Sequence, residues 1–188
     1  MSQAEAFALA TLALAAACGG DRCGETEAVV ARVIDGDTIE LESGVRVRYL
    51  LVDTPEISRD CFAEDAKRFN SALLLGRMVR LTYDARCTDD FGRSLAFVSV
   101  DGREVSSLLV HLGYACVLFI PPDGVSRLGE FEALEREARS ARRGLWSACH
   151  PLPPACRKRE SGLPFQIVEP VLPRSSLPGR APLLLQCP

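Results

Sequence analysis

Arg48-Tyr49-Leu50-Leu51-Val52-Asp53-Thr54-Pro55-Glu56 constrains this chain more than any other stretch. Tyr49 to Val52 reads as a strand buried on both faces, bracketed by a cation and by two carboxylates. Pro55 has no N–H to donate and a fixed φ, so the strand stops there. Asp53, Thr54 and Glu56 are thereby set at the rim of a core, where sites are commonly built. Alone, Asp-Thr-Pro also describes an ordinary turn, and Arg48 an edge charge. Strict alternation puts Arg48 and Asp53 on opposite faces of one strand. For both to serve one site, the strand must twist or bulge before Asp53.

Two other stretches change the weight of the first. Asp35-Gly36-Asp37-Thr38 lies upstream, and Asp89-Asp90-Phe91-Gly92-Arg93-Ser94-Leu95-Ala96 lies downstream. With Arg143-Gly144-Leu145-Trp146 following, the set in this order and spacing resembles the staphylococcal nuclease (thermonuclease) family, from about Glu27 to Trp146. The resemblance implies an α+β fold, a five-stranded OB-fold β-barrel with three packed helices, an architecture that binds oligonucleotides across one face. It also implies an exported, Ca2+-dependent nuclease that hydrolyses DNA and/or RNA with little sequence preference. By the same resemblance, Asp37, Asp53 and the Thr54 carbonyl contact calcium, and Asp35 acts through water. Glu56 orients or deprotonates the attacking water, and Arg48 and Arg93 are the two catalytic arginines.

The residue types suit that chemistry. Hydrolysing a phosphodiester means overcoming the repulsion between an anion and its nucleophile, then stabilising charge that grows on the phosphoryl oxygens. Asp35 and Asp37 stand two apart across a glycine turn and can reach one side. With Asp53 and the Thr54 carbonyl they form an all-oxygen set, which suits calcium better than zinc. Arginine's planar fork binds phosphate bidentately, whereas lysine holds a single point. Two departures from the family pattern stand out. Asp90 and Phe91 occupy positions where a basic residue and a tyrosine often precede the Gly-Arg. Phe119 and Pro121 stand where tyrosines contact the nucleotide. Retained catalysis with weaker or different nucleotide binding is the expectation. The competing class is a non-catalytic OB-type nucleic-acid-binding or adhesion module of a surface lipoprotein.

Periodicity supplies the elements. Val29 to Ile34, Thr38 to Leu41 and Val45 to Val52 read as strands. So do Val79 to Tyr83, Leu95 to Ser99 and the short run Ala115 to Ile120. Phe62, Ala66, Phe69 and Leu73 share one helical face, as do Val105, Leu108, Leu109 and Leu112, and then Phe131, Leu134, Ala138 and Ala141. Gly76, Gly113 and Gly144 close these helices, and Asp101-Gly102 has the residue types of a tight hairpin.

The domain division follows from composition. Residues 1–26 are a leader and short linker, 27–149 the domain, and 150–188 a proline-rich, cysteine-containing tail. The apolar run Ala6 to Ala17 has the length of a signal-peptide core and is too short to span a membrane. Leu14-Ala15-Ala16-Ala17-Cys18 resembles a lipoprotein processing site, with a lipid anchor on Cys18. A secreted or cell-envelope location and a monomeric chain are expected. Eight cysteines fit an oxidising compartment. With only two histidines and no Cys-x2-Cys, no zinc pattern is present. Cys116, in an apolar run, is expected to be a buried free thiol. The resemblance places the segments around Cys61 and Cys87 on one rim, within disulfide distance. The alternatives are small buried thiols, or pairing of one of them with Cys23 or Cys149. The whole chain carries −3, and residues beyond 150 carry five basic and two acidic groups, so residues 1–150 are near −6. Such a domain exerts no long-range pull on a polyanion, and any nucleic acid must be held by a local cationic patch and bound metal.

Overall fold

The computed structural model describes residues 23–157. The leader with Cys18 and the tail beyond Arg157 with Cys187 lie outside the described residues. Glu27–Val33 (β1), Thr38–Leu41 (β2), Arg46–Tyr49 (β3), Met78–Thr88 (β5) and Ser94–Val100 (β6) form one sheet in the order β3-β2-β1-β5-β6. Its neighbours are antiparallel, and a parallel pairing of β3 with β6 (Val47↔Ser94, Arg48↔Leu95) closes it into a five-stranded barrel. This is the expected OB-fold barrel. Val52–Asp53 (β4) leaves the barrel and pairs with Cys116–Val117 (β8). Arg103–Glu104 (β7) extends β6 across a hairpin whose Asp101 and Gly102 both have positive φ, at 50° and 72°, the signature of the turn anticipated there.

Three helices of two turns or more pack on the barrel: Ala63–Leu74 (α1), Val105–His111 (α2) and Leu128–Ser140 (α3). Leu145–Ala148 (α4) and Pro154–Arg157 (α5) are single turns. Of the apolar positions read from the 3.6-residue period, Ala66, Val105, Leu109, Phe131 and Ala138 are at 0 % exposure, Phe69, Leu73 and Leu134 pack half-buried against the core, and Ala141, just past the end of α3, is exposed. Gly113 and Gly144 explain why Arg143-Gly144-Leu145-Trp146 is placed as it is. Both have positive φ, a Cβ on either would meet the other segment's backbone, and the Leu145 N–H donates to the Gly113 carbonyl at 2.9 Å. That contact brings α4, with Leu145 and Trp146 buried, against the end of α2.

The core continues through Tyr49, Leu50, Leu51 and Val52, all buried as expected. At roughly 1.5–3 kcal/mol for each fully buried large aliphatic side chain, this run is a main anchor of the barrel. It is not one strand, however. Leu51 has φ 63°, a left-handed conformation that is costly for a branched side chain. The chain reverses its facing there, between β3 and β4. The twist required for Arg48 and Asp53 to meet is located at this residue.

The cysteines overturn two expectations. Cys61 is bonded to Cys149 and Cys87 to Cys23, so Cys61 and Cys87 are not partners. The register of β1 against β5 (Glu27↔Arg80, Ala28↔Val79) is the reason for the second pair. Continued backwards, it carries Cys23 alongside the far half of β5, where Cys87 stands. Cys61, ahead of α1, instead meets the end of α4, with the Cys61 Sγ 3.7 Å from the Ala148 carbonyl. Cys116 is buried but not free, being joined to Cys156 of α5. That bond fixes the first residues after 150 onto the domain.

Candidate active site

A cleft of about 430 Å3 opens where the barrel's β3 end meets the β5–β6 connection and the loop after β8. All seven residues singled out from the motifs line it: Asp35, Asp37, Arg48, Asp53, Thr54, Glu56 and Arg93. The Asp-Gly-Asp turn between β1 and β2 is pinned from beneath. Asn70 of α1, fully buried, donates to the Asp35 carbonyl at 3.0 Å and accepts from the Tyr49 hydroxyl at 3.0 Å. Gly36 presses against the next segment, since a Cβ there would lie 2.7 Å from Thr54 Cγ2 and 2.8 Å from Ala66 Cβ. Glycine is therefore required at Gly36 by close approach.

Asp37 is the hub. Its Oδ2 accepts the Thr54 N–H at 2.7 Å and the Thr54 hydroxyl at 2.8 Å. Its Oδ1 accepts from the Thr38 hydroxyl and from Arg48 Nε, both at 3.1 Å. Arg48 goes on to donate from Nη2 to Asp53 Oδ1 at 2.9 Å, and from Nη1 to the carbonyls of Tyr49 and Val52 at 2.9 and 2.8 Å. With its side chain only 11 % exposed, Arg48 ties the Asp37 turn to the Asp53 strand. The Leu51 reversal is what lets one guanidinium reach both.

Arg93 stands on the other side of the β3–β6 seam. Asp89 Oδ2 accepts its Nε at 2.7 Å, and Asp89 Oδ1 accepts the backbone N–H groups of Phe91 and Arg93 at 2.9 Å each. Burial works against the Asp89 charge, but the Arg93 and Phe91 donors outweigh it and hold the carboxyl below its ordinary range. Phe91 is 85 % exposed, with the Arg93 guanidinium 5.5 Å from its ring centre. Glu56 is exposed at the rim; its N–H donates to Asp60 Oδ2 at 3.0 Å, and among the described residues its carboxylate has no partner.

The donor set fits a hard divalent cation by charge and by atom type. The Asp35 carboxyl is pushed up to about 6, by burial first and by the neighbouring Asp37 charge second. Two carboxylates crowded in one turn, with Arg48 the one cation acting on Asp35 among the described residues, leave an excess of negative charge that a cation relieves. The atoms on offer from Asp35, Asp37, Asp53 and Thr54 are all oxygens. The carboxylates lean on Arg48, and among the described residues no three or more His, Cys, Asp or Glu side chains converge as a ready-made cage.

Two polar cleft residues, and one that supports them, lay beyond the motif reading. Arg86 and Asp123 line the cleft as an ion pair, with Arg86 Nε 2.6 Å from Asp123 Oδ2. Asp84 Oδ2 accepts the Gly124 N–H at 2.6 Å and holds the same loop. The only local signal was the turn chemistry of Pro121-Pro122-Asp123-Gly124; nothing adjacent marks Arg86.

This combination of barrel and site defines the class. Residues 46–148 match the family model described as staphylococcal nuclease homologue, and the chain belongs to that family. It is 38 % identical over 125 residues to Endonuclease YncB of Bacillus subtilis (strain 168), covering 62 % of this chain and 59 % of that protein. It is 36 % identical over 168 residues to Protein ParB of Escherichia coli, covering 83 % and 90 %. It is 33 % identical over 126 residues to the Thermonuclease of Staphylococcus intermedius, covering 63 % and 74 %. Of the two Bacillus subtilis proteins Endonuclease YncB and SPbeta prophage-derived endonuclease YokF, the chain spans 59 % and 42 % of the length.

Proposed function

We propose that the protein is an exported, calcium-dependent nuclease that hydrolyses phosphodiester bonds in DNA and/or RNA with little sequence preference. The observation that carries this reading is Arg48 bonded to both Asp37 and Asp53 in one cleft that Arg93 and Glu56 also line. A module that only binds nucleic acid has no use for paired carboxylates at the bottom of its groove. Relatives named as endonucleases or a thermonuclease support it.

In this reading Glu56 holds the attacking water at the exposed rim and takes its proton as the oxygen–phosphorus bond forms. The ester bond opposite breaks, and its oxygen leaves with a proton from solvent. Arg93 and Arg48 donate to the non-bridging oxygens as their charge grows, a role for which arginine's fork is suited. Asp37, Asp53 and the Thr54 carbonyl would hold calcium directly, with Asp35 acting through water. When bound, calcium supplies charge neutralisation on the phosphate. Little sequence preference follows from a site built to hold phosphate, since the backbone carries no sequence information. Three disulfides among the described residues support an oxidising, extracytoplasmic location, with Cys18 the candidate lipid anchor and the mature chain monomeric. The described residues contain no helix long and apolar enough to cross a membrane.

The deciding experiment is hydrolysis of plasmid DNA and of RNA by purified protein in calcium, in EDTA, and in EDTA with calcium restored. Activity lost in EDTA and recovered with calcium is expected. Binding without hydrolysis in calcium, or activity that zinc supports and calcium does not, defeats the reading.

A further inference from the structure

Three arginines line the cleft, and the proposed chemistry uses two of them. The third, Arg86, comes from β5 and is bonded to the loop after β8, apart from the β3–β6 seam that carries Arg48 and Arg93. Asp123, only 2 % exposed, accepts both the Arg86 backbone N–H at 2.8 Å and Arg86 Nε at 2.6 Å. Nη2 reaches the Ile120 carbonyl at 3.3 Å. Those bonds use one edge of the guanidinium. Nη1 has no partner among the described residues, and the side chain is 39 % exposed, against 11 % for Arg48 and 30 % for Arg93.

Burying a carboxylate is costly unless it is paired and hydrogen-bonded. Among the described residues Asp123 meets that condition through Arg86, by two bonds, while Asp84 fixes the loop through Gly124. The result is a cation held rigidly at a cleft wall with one fork edge available, the preorganised form a ligand-binding arginine takes. Its natural ligand is an oxyanion with two acceptor oxygens. The other positions from which phosphate could be gripped are poor here: Asp90 is acidic and Phe91 has no hydroxyl.

Building on the nuclease reading, we propose that Arg86 is a substrate-binding residue. It grips a backbone phosphate next to the one being hydrolysed, with Asp123 as its positioning residue. Arg86 then sets how the polynucleotide lies across the cleft without taking part in bond breaking.

The test compares wild type with R86Q and R86K on two substrates in calcium. One is a dinucleoside monophosphate, whose single phosphate is the scissile one; the other is a tetranucleotide. R86Q is expected to raise KM for the tetranucleotide about tenfold, with kcat changed less than about twofold. It should leave both constants for the dinucleoside monophosphate unaltered, because a lost charge-assisted phosphate contact appears as lost binding. R86K, which keeps the charge but not the second edge, should fall between. It also carries the comparison if R86Q does not fold. D123N should reproduce part of the KM increase. Equal losses of kcat on both substrates, or no change on either, would overturn the assignment. If wild type cleaves neither short substrate, tetranucleotide affinity measured by fluorescence anisotropy decides on Arg86; the nuclease reading itself fails only if plasmid DNA and RNA are also left intact in calcium. The assignment then requires about tenfold weaker binding by R86Q and fails if binding is unchanged.

Discussion

Replacing Asp35 by Asn separates the electrostatics of the glycine turn from its geometry. The Asp35 carboxyl titrates near 6 in the folded protein, against 3.8 ordinarily, because burial and the Asp37 charge both oppose its ionisation. The folded state therefore holds this proton more tightly than the unfolded chain does. Stability falls as pH rises through roughly 4 to 6 and stays reduced above that window. The gap between 3.8 and about 6 corresponds to on the order of 3 kcal/mol, an upper figure because part of it comes from the Asp37 charge beside it. Asparagine removes the charge but keeps an oxygen to accept the Asp37 N–H, now at 3.0 Å from Asp35 Oδ1. In EDTA at pH 7.5, D35N should melt higher than wild type, by up to about 10 °C for a domain of this size. At pH 4 the two should melt together. Saturating calcium should narrow or reverse the gap at pH 7.5, since an ion that binds the folded state stabilises wild type more than a variant with a weakened site. Melting curves from pH 4 to 7.5, with and without calcium, measure all of this. A D35N protein less stable than wild type at pH 7.5 in EDTA, or a difference independent of pH, would refute the reasoning.

Three further outcomes are expected. R93K should lose at least roughly tenfold in kcat with an unchanged melt, because the fork geometry as well as the charge is used; near-wild-type turnover would reduce Arg93 to a surface charge paired with Asp89. G36A should cost about 1–3 kcal/mol in a denaturation curve, since its Cβ would sit 2.7 Å from Thr54 Cγ2. It should also lower calcium affinity, and an unperturbed melt with full affinity would show that the turn has slack. Opening Cys61–Cys149 with C61S/C149S removes a link across 88 residues, worth on the order of 4 kcal/mol in the chain-entropy model. Because Glu56 lies on the segment leading to Cys61, kcat should fall as well, and unchanged kcat would place that loop under no control from the bond.

Much of the site was legible because its parts are short and local. Asp35 and Asp37 share one turn, Asp53 to Glu56 one strand end, and Asp89 to Arg93 one hairpin, so each fragment carries its own geometry. The helix faces were largely legible for the same reason: Val105 and Leu109 on α2, and Phe131 and Ala138 on α3, stand one or two turns apart and go to the interior. What escaped depends on pairings far apart in the chain. Arg86 meets Asp123 across 37 positions, and Cys61 meets Cys149 across 88. The partner of Cys87 is decided by how β1 registers against β5, which neither cysteine's neighbours reveal. Cys116 has an apolar surrounding that describes a buried thiol and a buried disulfide equally well. The reversal at Leu51 has no residue signature at all. Leucine is an ordinary core residue, and its positive φ is imposed by the need of β4 to leave the barrel for β8.

The acidic balance of residues 1–150 takes on a different meaning once the cleft is resolved. Each of its three arginines has an aspartate partner: Arg48 has Asp37 and Asp53, Arg86 has Asp123, and Arg93 has Asp89. Such pairing removes most of the field that would steer a polyanion from a distance. In return, each guanidinium is fixed before substrate arrives, so little rotamer freedom is lost when a phosphate binds. A cleft of this design recognises phosphate by contact rather than by attraction. Its substrate affinity should therefore depend only weakly on salt, as expected when few phosphates are neutralised. A steep salt dependence would instead mean that a broader basic surface, beyond these three pairs, shares the binding.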